Sequence, residues 1–325
     1  MSAARICILT NQDLDAATSP DSDWLCDPRP YLPEAEWSFA TLQKKTSVVT
    51  VTKLVQSGRF DLFFNLCDGA ADEDSPGIEV VETLEQLKAA FTGATSNYYE
   101  PTREQMKAVC RKEGIDTPAH VLARTEADVE RAAEQLTFPL FVKHHNSYAS
   151  IAISRASRVV SPAGLRRQAR KIMSKFGAAL IEEYIAGDEC TVLVAENADD
   201  PNDPFTYGPI QYRFPPGEQF KHSDLKWVHY DEMQCFPVEN PDLSRLQRDI
   251  CARFFVGLDG AGFGRCDLRI DAEGRAWMLE INPNCGVYYP ATDPGSADLC
   301  LATEPNGHER FTRQLVAAAL SRHSR

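Results

Sequence analysis

The stretch 262–290, GFGRCDLRIDAEGRAWMLEINPNCGVYYP, predicts two short strands, 265–270 and 276–281, joined by an acidic, glycine-containing turn at 271–274. Residues two apart on a strand share a face, so Glu280 and Asn282 project together. The hairpin turn brings Asp267 beside them. Two carboxylates and a carboxamide oxygen on one face form a hard-oxygen cluster suited to Mg²⁺, which keeps phosphate and water as its other ligands. Arg265, two residues before Asp267, points the same way and offers a cation to an anion held by the metal. A hairpin with a solvated acidic face explains the same residues. From the hairpin alone the two readings stand level.

Around this stretch lie 325 residues, enough for two or three domains of ordinary size. The net charge of −13 argues against a nucleic acid or an anionic membrane as the main partner. A locally basic cleft in such a chain still accepts a nucleotide when Mg²⁺ offsets the charge. The first apolar run, 6–9, is too short for a signal peptide, and no run approaches a membrane span, so a cytoplasmic location is expected. Ten cysteines without a Cys-x-x-Cys read as reduced thiols. Cys266 and Cys285, inside the opening stretch, lack paired spacing and a histidine partner, and read as structural.

Buried strands are expected at 5–10, 48–52 and 60–66, with a polar loop over 11–34, a helix-like stretch to about 45, and a helix over 79–90. That alternation is a small α/β layer. The pattern then restarts with helices over 102–113 and 125–136, strands at 140–144 and 151–154, and a basic helix over 162–175 whose cations read as a solvated face. Strands at 178–185 and 190–195 follow, then an irregular stretch, 197–223, a helix over 242–257, the hairpin, and a terminal helix over 307–322.

Lys143 ends an apolar run just before the small-residue loop 145–150, where an ammonium and backbone N–H groups, with Ser150 among them, can meet phosphate oxygens. A lysine at a strand end is more commonly just solvated. Glu182 and Glu183 flank the approach to Tyr184-Ile185, and Glu189 follows a glycine turn. A carboxylate there can take ribose hydroxyls while the chain presents backbone groups to a base; an acidic strand edge is the plainer alternative.

The ordered set is more specific than its members. Lys143 with its loop, the segment 181–189, Lys226, Arg265-x-Asp267 and Glu280-x-Asn282 together resemble the ATP-grasp superfamily, most closely its D-alanine–D-alanine ligase branch. The resemblance runs from 60 to 286. It implies an α/β fold with a Rossmann-like pre-ATP-grasp domain (1–100) and two α+β sub-domains enclosing the nucleotide, one with the lid loop (101–185) and one with the metal and oxyanion site (186–325). It further implies that Lys143, Lys226, Arg103 and Ser150 meet ATP phosphates, that Glu182, Tyr184 and Ile185 meet adenine, and that Glu189 meets ribose. Asp267, Glu280 and Asn282 would hold two Mg²⁺ ions, with Mn²⁺ as a substitute, and Arg265 and the Gly286 backbone would stabilise an oxyanion. The implied chemistry is a carboxylate–amine ligation through an acyl phosphate, on amino acids or amino-acid-like molecules, in a chain that the family suggests is a homodimer.

The substrate end departs from the branch. No glutamate anchor follows the first strand, where Asn11-Gln-Asp-Leu-Asp15 stands; Asp68-Gly69 replaces His-Gly; Tyr148 and Ala152 stand where the phosphate loop has glycines. The segment after Gly286 is rewritten, Trp227 replaces a tyrosine, and Arg103 replaces a lysine. These changes imply substrates other than two D-alanines. Asp68, Asp13 and Asp15 are candidates for an ammonium group, although a solvated loop explains the last two. Trp227, Tyr288 and Tyr289 are candidates for contact with a larger or flatter molecule. A ligase with a non-amine acceptor, and a nucleotide-binding regulator without turnover, are the competing functions.

Overall fold

Arg5–Thr10 (β1) is buried along its length after its first residue, as expected of a strand covered on both faces. The computed structural model, which describes residues 3–15, 25–70, 73–146, 152–227 and 232–324, pairs β1 in parallel with Glu36–Thr41 (β2) and Leu62–Asn65 (β3), in the order β2-β1-β3. Parallel neighbours need a crossover, and Ser47–Gln56 (α1) supplies it between β2 and β3. This corrects the expected strand at 48–52 and the helix before it. The β-branched run is helical, with Val51 buried and Val48 and Val49 exposed. The strand lies earlier, in the Trp37-x-Phe39 alternation. Ile78–Gln86 (α2) and Ser96–Tyr99 (α3) complete this part.

Arg103–Glu113 (α4) starts at a capping box between Thr102 and Gln105 and stops at Gly114 in the left-handed region. His120–Ala123 (β4), Glu126–Gln135 (α5), Leu140–His144 (β5), Arg158–Val159 (β6), Pro162–Phe176 (α6) and Ala179–Glu183 (β7) follow. They form an antiparallel sheet, β4-β7-β5-β6, with a core of its own against α5 and α6. Of the strand expected at 151–154, residue 151 lies outside the described residues and 152–154 are not a strand; a turn of 3₁₀ helix at Arg155–Ser157 then leads into the two-residue β6. On α6, Arg166 and Arg170 pair with Glu130 and Glu126 of α5 at the exposed surface.

Asp188–Ala195 (β8), Phe205–Arg213 (β9), Ser223–Trp227 (α7), Gln234–Pro237 (β10), Pro241–Gly257 (α8), Phe263–Ile270 (β11) and Ala276–Pro283 (β12) build an antiparallel sheet, β10-β9-β8-β11-β12. β9 occupies the stretch expected to be irregular. Its Gly208-Pro209 pair falls in a bulge opposite β8, where the missing proline N–H breaks no ladder bond. Ser296–Ala302 (α9) and Gly307–Ser324 (α10) close the chain. Two core clusters run between the first sheet and this one, Cys7, Leu9, Val192 and Val194 in one and Ile6, Ile8, Leu193 and Ala195 in the other. No helix among the described residues is long and apolar enough to cross a membrane.

Candidate active site

β11 and β12 are antiparallel with Arg265 opposite Asn282 and Asp267 opposite Glu280. Leu279 is then left over, because Leu268 stands opposite Met278. Met278 and Glu280 would share a face in a regular strand. The bulge turns Met278 into the core and leaves Glu280 lining a cleft with Arg265, Asp267 and Asn282.

Within this group Arg265 holds Asp267 through both oxygens, at 3.1 and 3.0 Å. Asn282 Nδ2 lies 3.1 Å from Asp267 Oδ2 and 3.4 Å from Glu280 Oε1. Thr191 on β8 places its hydroxyl 2.7 Å from Asp267 Oδ1. Burial would raise the Asp267 carboxyl, but Arg265, then Lys221 and Thr191, hold it down at about 2. Glu280 is paired with Arg103 at the first position of α4.

The facing wall comes from β5, β7 and the link into β8. Lys143 on β5 lies 2.6 Å from Glu182 Oε2, and Lys107 of α4 lies 2.5 Å from Glu182 Oε1. Lys107 also donates to Thr117 Oγ1 at 2.6 Å, and Thr117 donates to the Met278 carbonyl at 2.9 Å. Burial of Glu182 favours its neutral form, yet Lys107 and Lys143 outweigh it and hold the carboxyl well below the carboxylate range. Glu183, also at the cleft, accepts from the Thr137 N–H at 2.7 Å.

The link 184–187 crosses the end of β11 closely enough that a Cβ on Gly187, at φ +136°, would sit 1.9 Å from the Ile270 carbonyl oxygen. Beneath it Arg269 donates to Glu189 Oε2 at 3.0 Å, to the Gly187 carbonyl at 3.1 Å and to the Gln219 carbonyl at 2.7 Å. Glu189 is therefore ion-paired as well as facing the cleft. The Tyr184 ring has the Arg158 and Arg269 guanidiniums at 5.0 and 5.1 Å from its centroid. Phe141, Tyr184, Ile185 and Phe220 supply an apolar slot in the same cleft, which encloses about 840 Å³ including open solvent at its mouth.

Sequence reasoning missed three cations here. Lys221 lines the cleft, 3.4 Å above the Tyr212 ring centroid. It follows Phe220 directly, and that aromatic–lysine pair after a Pro-Pro-Gly turn was the available signal. Arg269 continues the Arg265, Asp267 alternation along β11. Lys107 is buried on an amphipathic helix, and nothing in the sequence separates it from a solvated lysine. Ser150, most of the proposed lid (147–150), and the side chains of Lys226 and Trp227 lie outside the described residues.

Past Asn282 the chain runs on to Gly286. The Tyr289 ring lies between two glycines: a Cβ on Gly286 would meet its hydroxyl at 2.5 Å, and one on Gly295 its Cδ2 at 2.8 Å. Tyr288 does not share this position, correcting its candidacy for substrate contact. Its ring is buried in the core, with its hydroxyl 2.9 Å from Thr312 Oγ1. Buried Asp298 on α9 holds the segment, accepting from the Tyr288 N–H at 2.8 Å and the Gly295 N–H at 3.1 Å, with His308 Nε2 at 2.9 Å. Asp68 opens to solvent, yet protein atoms crowd it, and burial, with Glu73 adding, pushes its carboxyl up to about 6. Asp15 is taken by Arg29 at 3.1 Å, and Asp13 caps the Asp15 N–H. Cys266 and Cys285 are buried free thiols; burial pushes Cys285 up to about 12, far from a thiolate.

A family model described as "D-ala D-ala ligase C-terminus" matches residues 109–291. The D-alanine–D-alanine ligase of Chromohalobacter salexigens is 28% identical over 229 residues, which are 69% of this chain and 66% of that one. D-alanine–D-alanine ligase B of Pseudomonas putida is 27% identical over 236 residues, 72% of this chain and 70% of that one. The matched region thus spans about two thirds of these relatives' length. Among solved structures, VanG D-Ala:D-Ser ligase from Enterococcus faecalis superposes with a TM-score of 0.69 at 14% identity, covering 98% of this chain and 99% of that one. D-alanine–D-alanine ligase from Bacillus anthracis complexed with ATP gives 0.67 at 15% identity, covering 99% of each chain.

Proposed function

The chain belongs to the D-alanine–D-alanine ligase family and has the ATP-grasp fold, and on that premise we propose that it is an ATP-dependent ligase joining the carboxylate of one amino acid or amino-acid-like molecule to the amine of another. The observation that carries the reading is one cleft with Lys143, Glu182 and Glu189 on one side and Arg265, Asp267, Glu280 and Asn282 on the other. In this reading residues 1–100, 101–185 and 186–325 are its three units.

The donors suit a hard divalent ion: two carboxylates and a carboxamide already within hydrogen-bond distance of one another. Turned over, the Asn282 amide offers Oδ1 to the same point. Two Mg²⁺ ions would disperse the charge of the phosphoryl group in transfer and orient it. The adenine lies in the slot of Phe141, Tyr184, Ile185 and Phe220, Glu189 takes ribose hydroxyls, and Lys143 and Lys221 hold phosphate oxygens. An oxygen of the substrate carboxylate attacks the γ-phosphorus, the bond to the bridging oxygen breaks, and ADP leaves. The amine nitrogen then adds to the acyl carbon and inorganic phosphate departs with the amine's proton. Arg265 and the Gly286 N–H face the oxyanion formed between these events; one such donor contributes about 3 kcal/mol.

Asp68 is the anchor for an ammonium, and Tyr289 walls the substrate end. The expectation of substrates other than two D-alanines rests on this rewritten end alone and draws no support from the relatives, which carry that name. ADP release is therefore measured with MgATP over pairs drawn from the common amino acids and D-alanine, with mass spectrometry of the product and hydroxylamine to trap an acyl phosphate. An amide or hydroxamate with ADP supports the ligase; an ester product points to a non-amine acceptor. Nucleotide binding without turnover on any pair points to a regulator. Glu280→Gln should lower turnover at least a hundredfold with the circular dichroism spectrum unchanged, and an active variant would overturn the metal assignment.

A further inference from the structure

Helix α4 sends two cations from one face to two carboxylates on opposite sides of the cleft. Arg103 and Lys107 are four apart, hence neighbours on the helix surface, and both are buried. Lys107 reaches Glu182 on β7 and Arg103 reaches Glu280 on β12. A cation in the first turn sits at the wrong end of the helix dipole, so Arg103 is not there for the helix. Its charge is balanced by Glu280, and its backbone N–H meets Asn146 Oδ1 at 3.3 Å, at the start of the phosphate-loop segment.

We propose that Arg103 is an exchangeable counter-ion which makes metal binding at Glu280 conditional on the nucleotide. The inference rests on the nucleotide-and-metal reading given above. A guanidinium cannot shed its proton to make room for a metal ion. It must either leave Glu280 or gain a second anion. The carboxylates of the metal group, Asp267 and Glu280, each carry a guanidinium, Arg265 and Arg103, so the group presents no uncompensated negative charge to a free divalent cation. A polyphosphate changes that balance. It takes the Arg103 guanidinium by charge-assisted hydrogen bonds and leaves Glu280 to the metal. Metal and phosphate then enter as a pair, which keeps the carboxylates from collecting metal without nucleotide. Lys107, fixed by Glu182 and Thr117, holds the rest of α4 in place while Arg103 changes partner.

Two reciprocal variants test the exchange without reference to turnover. Binding of Mn²⁺ alone is followed by the electron paramagnetic resonance of the free ion, and binding of ATP in excess chelator by titration calorimetry. Arg103→Gln should bind Mn²⁺ alone about tenfold more tightly than the parent chain and metal-free ATP about tenfold more weakly. Glu280→Gln, which releases Arg103, should bind metal-free ATP several-fold more tightly than the parent chain. Arg103→Lys keeps the charge and should resemble the parent in Mn²⁺ binding. Unchanged Mn²⁺ affinity in Arg103→Gln would overturn the exchange and leave the ligase reading standing. If Arg103→Gln fails to fold, the Glu280→Gln titration decides alone, and no gain in metal-free ATP affinity overturns the proposal. Absence of ATP binding to the parent chain with or without Mn²⁺ would sink the ligase reading and this exchange together.

Discussion

Asp68 is the residue whose titration the substrate end should display. Although Asp68 opens to solvent, the protein atoms crowded around it push its carboxyl up to about 6, with Glu73 adding repulsion. The sign follows directly: below about 6 the group is neutral and cannot anchor an ammonium. The kcat/KM for the amine-anchored substrate should therefore fall as pH drops through about 6, a limb that reports the free enzyme. Asp68→Asn should remove the limb and raise KM more than it lowers kcat; a profile identical to the parent's would dismiss Asp68 from the site. At this scale the paired motifs were legible, since Arg265, Asp267, Glu280 and Asn282 sit at strand spacing in the sequence and face one cleft in the structure. Lys107 and Tyr288 were not legible. A lysine's or tyrosine's burial depends on what packs over it, and neither Glu182 nor Thr312 is near in sequence.

At the scale of elements, local pattern succeeded where one face is wet and failed where partners override propensity. α4 and α5 carry capping boxes that read directly from Thr102 and Thr125. The valine-rich run at 48–52 carries strong strand propensity, but the parallel pairing of β1 and β3 needs a helix between β2 and β3, and topology prevailed. β9 was hidden by Pro209, which a bulge tolerates. The segment 286–295 is held chiefly by a single carboxylate on α9. Asp298→Ala leaves the buried Tyr288 N–H and the Gly295 N–H without their acceptor and should destabilise the fold by about 1–3 kcal/mol. Urea denaturation measures this. The same variant should raise KM for the substrate against Tyr289 while ATP affinity stays within twofold, and a selective loss of ATP affinity would contradict the division of the cleft into nucleotide and substrate ends.

Across the whole molecule, the first and last sheets share two core clusters, whereas the middle sheet keeps its own. The cleft lies where the middle sheet faces the last one, and side chains such as Lys107, Thr117 and Arg269 join the two sides there by polar contacts. A separate staple ties the C-terminal helix to internal segments of the chain. Arg322 on α10 pairs with Glu196 beyond β8 and donates to the Phe91 carbonyl at 2.8 Å. Arg322→Met strands a largely buried carboxylate that keeps the Gly262 N–H at 2.8 Å, which should cost about 3 kcal/mol. The denaturation midpoint should fall accordingly with ATP affinity unchanged; an unchanged midpoint would show that the staple carries no net stability.

The amino-acid sequence alone determined the family resemblance, the α/β class and the hairpin, because the chemistry of phosphate and metal requires particular side chains at strand spacing. Tertiary structure alone decided which cation serves which carboxylate. Glu280 faces the cleft only through the bulge at Leu279, Lys221 enters the cleft beside Phe220, and Arg103 meets Glu280 across 177 positions of chain. Charges find partners by distance in the folded state, where burial strengthens the pairing, and separation along the chain carries no record of that distance.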